Sequence, residues 1–209
     1  MIEPMEFQDV VRRRRMVRTY TPDPVDPALV DRLLDNAVRA PSAGFSQGWG
    51  FLVLDDPADV ARFWCSTTPA GTERPSAWLE AMRVAPVVVV PHSSRAAYLA
   101  RYAQDDKRWT DPDADPWAVP YWHVDAGMAA LLILQTAVDA GLGACFFGIP
   151  AARTEAFRAE FSVPEEFMPV GAITVGHPGP VERLPGSAAR RARRPLADVV
   201  HRGTWSPPR

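Results

Sequence analysis

DAGMAALLILQTAVDA, residues Asp125 to Ala140, reads as a helix that is apolar nearly all round. A helix with so little polar face belongs in a core or at a subunit interface. Gly141 marks its C-terminal end, Gly143 follows, and Ala144 to Phe147 then reads as a strand. Farther on, a helix is expected over Ala152 to Phe161 and a strand over Val170 to Val175. Upstream, Phe51 to Leu54 is a short apolar strand, and the valine-rich run Val84 to Val90 suits a strand buried on both faces. Helices are expected over Glu6 to Arg15, over Leu29 to Arg39 behind the Asp26 N-cap and Pro27, over Ala58 to Trp64 and near Ala77 to Arg83. The proline- and aspartate-rich segment Trp109 to Trp122 reads as an ordered loop or lid. Four strands interspersed with helices, without regular strand-helix alternation, favour an α+β layered domain over a doubly wound parallel one.

The chain has 209 residues, 47% apolar and 23% charged, enough for one domain with a substantial core. The single domain is expected to span 1–209, with 177–209 as an extended C-terminal arm rich in proline and ending in a second basic cluster, Arg190 to Arg194. Net charge is -2, and the cluster Asp105, Asp106, Asp111, Asp113 and Asp115 would repel a polyanion, so no nucleic-acid partner is expected. No stretch reaches the ~18 apolar residues of a membrane span, and the N-terminus has no h-region. The reading is a cytoplasmic protein with no membrane partner. Cys65 and Cys145 are far apart, without metal-ligand spacing.

The N-terminal run Arg12 to Arg15, with Arg18 after it, calls for an anion. If Glu6 to Arg15 is helical, Phe7, Val10 and Val11 form an apolar stripe, and Arg14 at i+7 falls on it. Arg18 shares that side if the helix persists, whereas Arg12 and Arg13 lie well off it and are solvated. An inward guanidinium needs a partner, and a phosphate or carboxylate meets its planar fork bidentately.

Neither a Walker pattern nor a dinucleotide fingerprint is present, no serine sits in a hydrolase elbow, and the four histidines have no paired spacing for a metal. His123 stands apart, because it opens the central helix beside Tyr121 and Trp122, where a neutral imidazole can face a ligand. Four pieces then occur in order: RRMVRTY at Arg14 to Tyr20, APSAGFSQGWGF at Ala40 to Phe51, AGLGACFFG at Ala140 to Gly148, and RRPL at Arg193 to Leu196. Together they resemble the FMN-dependent nitroreductase family over nearly the whole chain.

That resemblance implies a mixed β-sheet flanked by helices, an intertwined homodimer, and FMN in each of two clefts at the interface. It assigns Arg14, Arg15, Met16 and Arg18 to the phosphate end of FMN, joined by Arg193 and Arg194. Pro41, Ser42, Phe45 and Gln47 would lie in the loop beside the ribityl chain or ring, and Gly148 and Ile149 would border the isoalloxazine. The chain departs from the family twice. Met16 stands where serine is frequent, leaving the backbone N–H to serve. Phe45 replaces the loop's asparagine, so it would stack on or border the ring, or Gln47 would supply the amide. The implied function is transfer of electrons from NAD(P)H through FMN to a nitroaromatic, quinone or other small conjugated acceptor. Flavin N5 carries the chemistry, and no side chain is assigned as catalytic. Tyr121, Trp122 and His123 are the expected substrate wall, although the same aromatics suit packing of the central helix. Two alternatives stay open: a flavin- or deazaflavin-dependent dehydrogenase or oxidase of a specialised metabolite, and a non-catalytic flavin-binding protein.

Overall fold

The computed structural model describes residues 5–69, 76–107, 117–180 and 191–205. Most of the expected 109–122 loop, part of the 177–209 arm and Arg190 lie outside the described residues. Helices α1 (Phe7–Arg13) and α2 (Pro27–Ala37) precede strand β1 (Trp49–Leu54). Helices α3 (Pro57–Thr67) and α4 (Ala77–Met82) lead to β2 (Val87–Ser93), followed by α5 (Arg95–Tyr102) and α6 (Tyr121–Asp139). Strand β3 (Gly143–Phe147), α7 (Thr154–Glu160), β4 (Met168–Pro169) and β5 (Ala172–Gly176) complete the domain.

Local chemistry sets several of these boundaries. Asp26 and Asp56 accept the Ala28 and Ala58 amides, and each is followed by a proline at the first helical position. Gly141 takes φ +70 at the end of α6. Around it Leu142 N donates to Ala137 O and Gly141 N to Val138 O, a paired C-terminal cap that needs the left-handed residue.

The sheet runs in the order β1-β2-β5-β3, with the short β4 on β2. Every pairing among the described residues is antiparallel, so they contain no parallel component of the expected mixed sheet, and the α+β class stands. β2 is buried throughout, as its valine run implies. Its alternation sends Val87 and Val89 into a core with α2 and α6, and Val88 and Val90 into a core with Phe63, Trp64, Met82 and Phe157. The central helix α6 buries Ala126, Ala129, Ala130, Ile133, Leu134 and Ala137, yet leaves Val124 and Leu131 exposed. At the other end of the chain, Thr19 to Thr21 pairs with His177 to Gly179, and the Tyr20 hydroxyl reaches Thr174 Oγ1 at 2.9 Å.

The first helix is shorter than expected. Arg14 has ψ 117 and donates the last helical bond, to Val10 O, after which the chain runs on without helix. Outside the helix Val17 N donates to Ala144 O of β3, and the Val17 side chain lies so close to Gly143 that a Cβ there would meet it at 2.7 Å. Continuing the helix through four adjacent cations would forfeit that bond and contact. Phe7 and Val11 are exposed, so of the three stripe residues only Val10 is buried. The helical-wheel argument for Arg14 and Arg18 therefore fails. Their half-buried state comes from the segment lying against β3.

Candidate functional site

The expected site residues fall into three groups. The first lies along β3. Met16 is half-buried, and its Sδ accepts Phe146 N–H at 3.4 Å, so this side chain binds the strand's backbone. Met16, Val17, Phe147 and Ile149 all flank the same core. Arg14 and Arg18 are half-buried and Arg15 is exposed. Arg18 Nη1 donates to Met16 O at 3.1 Å. Among the described residues none of the three has a carboxylate partner. Half-buried guanidinium groups without an acid suit a phosphate. A Cβ built on Gly148 meets nothing within 4 Å, so there is room for a flat group beside this backbone. FMN therefore fits the residues present.

Gly148 and Ile149 also line a cavity of about 120 Å³ with Trp64, Thr67, Thr68, Pro69, Trp78, Leu79, Phe147 and Pro150. Trp64 stacks on Phe147 with 5.6 Å between ring centroids, and Trp78 meets Phe147 edge-on. No sequence motif pointed to Trp64 or Trp78, because they come from helices that carry no expected site residue. A larger cleft, about 690 Å³, is lined by Pro22, Pro24, Pro57, Trp64, Arg83 and Pro86, among others, and by none of the expected residues.

The second group is the 41–47 loop with the start of α6. Residues Ala43–Phe45 form a single 3-10 turn in which Gly44 has φ 61 and Phe45 φ 55, and Gln47 beyond it has φ 48. Pro41 and Gln47 are exposed, Ser42 is half-buried, and Phe45 is 72% exposed. Ser42 Oγ accepts Gln47 N at 2.7 Å, so the serine braces its own loop. Beneath the loop lies α5, a helix the sequence reading missed. Its Tyr98, Arg101 and Tyr102 share one face at i, i+3 and i+4. Arg101 Nε donates to Gly44 O at 2.9 Å, and its other nitrogens hold Asp106 bidentately. The Tyr102 ring lies where a Cβ on Gly44 would meet it at 2.7 Å. From α6, Asp125 Oδ2 accepts Ala43 N–H at 2.7 Å and the Tyr98 hydroxyl. Ser94 before Arg95, and the aromatic pair at i, i+4, were the signals that could have revealed α5.

The expected substrate wall stands beside this loop, and its residues differ. Trp122 is half-buried and meets Tyr98 and Trp117 edge-on, with the Arg95 guanidinium 5.8 Å from its ring. Tyr121 and His123 are exposed. His123 Nδ1 shares a 2.8 Å hydrogen bond with Ser93 Oγ, and partial desolvation of the ring lowers its pKa, favouring the neutral imidazole. The third group, Arg193 and Arg194, is exposed on the arm, where Arg194 Nη2 donates to Asp198 O at 2.7 Å. Among the described residues no group of three or more His, Cys, Asp or Glu could hold a metal, and no helix is long and apolar enough to cross a membrane.

Comparison with known proteins adds the lineage. A family model described as the nitroreductase family matches residues 11–177. A Methanothermobacter thermautotrophicus protein, provisionally named NADH dehydrogenase/NAD(P)H nitroreductase, is 26% identical over 180 residues, 85% of this chain and 80% of its own. A 5,6-dimethylbenzimidazole synthase of Rhodobacter capsulatus is 44% identical over 50 residues, 24% of each chain. Among solved structures, a nitroreductase-like protein from Desulfovibrio desulfuricans in complex with FMN has TM-score 0.68 at 22% identity, covering 98% of this chain and 100% of that one. A nitroreductase family protein from Clostridium difficile has TM-score 0.71 at 19% identity, covering 96% and 100%.

Proposed function

The chain belongs to the nitroreductase family, and on that premise we propose that it is an FMN-dependent oxidoreductase. It takes electrons from NADH or NADPH and passes them to a flat conjugated acceptor such as a nitroaromatic or quinone. The observation that carries this reading is the pair of half-buried guanidinium groups beside β3, Arg14 and Arg18, which have no carboxylate partner among the described residues. They hold the FMN phosphate with Arg15 and the Met16 amide, while Gly148 and Ile149 border the ring. Ser42, Phe45 and Gln47 meet the cofactor from the loop that Pro41 opens. When bound, the flavin supplies the two-electron relay between nicotinamide and acceptor. The chain's own part is orientation and electrostatics. The arginines offset the phosphate charge, the Trp64, Trp78 and Phe147 rings keep water from the Gly148 side, and Tyr121, Trp122 and His123 face the acceptor. No side chain is required as acid or base.

Two copies of the chain form the working unit in this proposal. Support comes from apolar surface that one copy leaves uncovered: Phe7, Val11, Val124 and Leu131 on α1 and α6, and Leu196, Val199, Val200 and Trp205 on the arm. Arg193 and Arg194 on that arm then reach the phosphate of a shared site. Sedimentation or light scattering at micromolar concentration checks the mass of the assembly.

The deciding experiment is an absorbance spectrum of pure protein before and after NADPH without oxygen. Flavin bands that bleach are expected, whereas protein that is colourless and stays so after incubation with FMN refutes the reading. The local match to a synthase favours one second reading, a flavin-dependent oxidase or dehydrogenase of a specialised metabolite. In that case the bound flavin is bleached by the metabolite and not by a nicotinamide.

A further inference from the structure

Asp125 is a buried carboxylate, 3% exposed, in the first turns of an apolar helix, and among the described residues no cation pairs with it. A carboxylate in such a place is costly unless hydrogen bonds satisfy it. Two donors converge on its Oδ2, the Ala43 amide at 2.7 Å and the Tyr98 hydroxyl. Tyr98 is fully buried, its ring pressed against Gly48, where a Cβ would meet it at 3.0 Å. It also meets Trp117 and Trp122 edge-on. Burial first, then the neighbouring carboxylate, push the phenol's pKa upward, so Tyr98 keeps its proton and donates it.

What this pair holds is unusual backbone. Phe45 and Gln47 both take positive φ without being glycine, at 55 and 48, a conformation that persists only when surroundings enforce it. The tethers enclose that stretch: Asp125 on Ala43, Arg101 on Gly44, and Ser42 on Gln47. With its Phe45 ring exposed, the loop relies on these backbone tethers for its shape.

We propose that Asp125 is a positioning residue for the cofactor: its carboxylate, clamped between Ala43 N–H and the Tyr98 hydroxyl, holds the Ser42 to Gln47 loop in the shape that receives the flavin. The inference rests on the FMN reading above. Asp125→Asn keeps the size of the group but removes its charge, so the single amide oxygen left at the Oδ2 position is a weaker acceptor for both donors. Tyr98→Phe keeps the ring packing and removes one donor, so it tests the same clamp if the asparagine variant folds poorly.

Three measurements apply to the wild type, both single variants and the double variant. They are amide hydrogen exchange of residues 42–47 without flavin, FMN affinity by fluorescence quenching, and visible circular dichroism of bound flavin at saturating FMN. The clamp predicts exchange in this loop at least about tenfold faster, FMN affinity about tenfold weaker, and an altered flavin dichroic band that a global loss of stability would not produce. The double variant resembles either single one, because both break the same unit. Unchanged loop exchange overturns the clamp, and so does faster exchange with unchanged affinity and dichroism. Wild-type protein that fails to bind FMN overturns the flavin reading and with it the ligand assigned to the loop. Wild-type binding with unaffected variants overturns the positioning role alone.

Discussion

Replacing Arg18 by glutamine removes one guanidinium from the segment beside β3 and leaves in place Val17, whose amide carries the segment's bond to Ala144. Arg18 is half-buried and uses Nη1 on Met16 O, so most of its five-donor fork is available to a phosphate. A hydrogen bond to a charged group contributes about 1.5–3 kcal/mol. At about 1.4 kcal/mol per decade, that corresponds to FMN binding weakened roughly tenfold to a hundredfold. Arg14→Gln belongs in the same range. Arg12→Gln, exposed in the last turn of α1, changes affinity by less than about threefold. The assay is quenching of flavin fluorescence on titration with apoprotein, run in parallel with riboflavin, which carries the same ring without the phosphate. Arg18→Gln is expected to weaken FMN and leave riboflavin unchanged, and added salt to narrow the wild-type preference between the two. Equal losses for both flavins, or an equal loss at Arg12, refute the assignment of Arg14 and Arg18 to the phosphate.

Gly143→Ala sets a Cβ 2.7 Å from the Val17 side chain, so a stability loss of about 1–3 kcal/mol and weaker FMN binding are expected together, by urea denaturation and quenching. Stability unchanged in that variant would show that the segment does not lie against β3. Phe45→Asn places a residue that tolerates left-handed backbone at φ 55 on an exposed loop, so a small gain, about 0.5–1 kcal/mol, is expected in thermal unfolding. His92 is buried, its Nδ1 lies 2.9 Å from Val90 O, its Nε2 has no partner among the described residues, and burial with the nearby Arg158 charge holds its pKa below the usual 6.5. Below about pH 6.5 the unfolded chain takes up a proton that the folded one resists. The stability owed to a neutral His92 is therefore complete above that pH, declines as pH falls through the window, and levels off below the folded pKa. Urea denaturation between pH 7.5 and 5 should show a shallower decline in His92→Asn than in the wild type, and identical slopes would remove His92 from the acid response.

Patterns that depend on burial alone were legible. The valine run is a buried strand, although β2 starts at Val87 and leaves Val84 exposed, and the apolar run is the central helix, which starts earlier, at Tyr121. What periodicity could not supply was the competition between helix and sheet edge at Arg14. Phe7, Val10 and Val11 satisfied a helical stripe, but Val17 gains more from Ala144 and the space over Gly143 than another helical turn would give. The wheel and the motif both singled out Arg14 and Arg18, which reach a half-buried position by a different backbone from the one the wheel assumed.

The loop posed a harder problem, because its shape is fixed from outside. Ser42, Phe45 and Gln47 could be read as a motif, yet the groups that brace the loop sit 50 to 80 positions later in the chain, at Tyr98, Arg101, Tyr102 and Asp125. In the sequence Asp125 is only the polar first residue of an apolar helix. Only the fold turns its carboxylate toward Ala43, and only there does an acid that a helical pattern would place in solvent become a buried acceptor. The departure at Phe45 from the motif that this loop resembles is therefore poor evidence against a preformed loop while the acceptor beneath it and the tyrosine that donates to it are both in place.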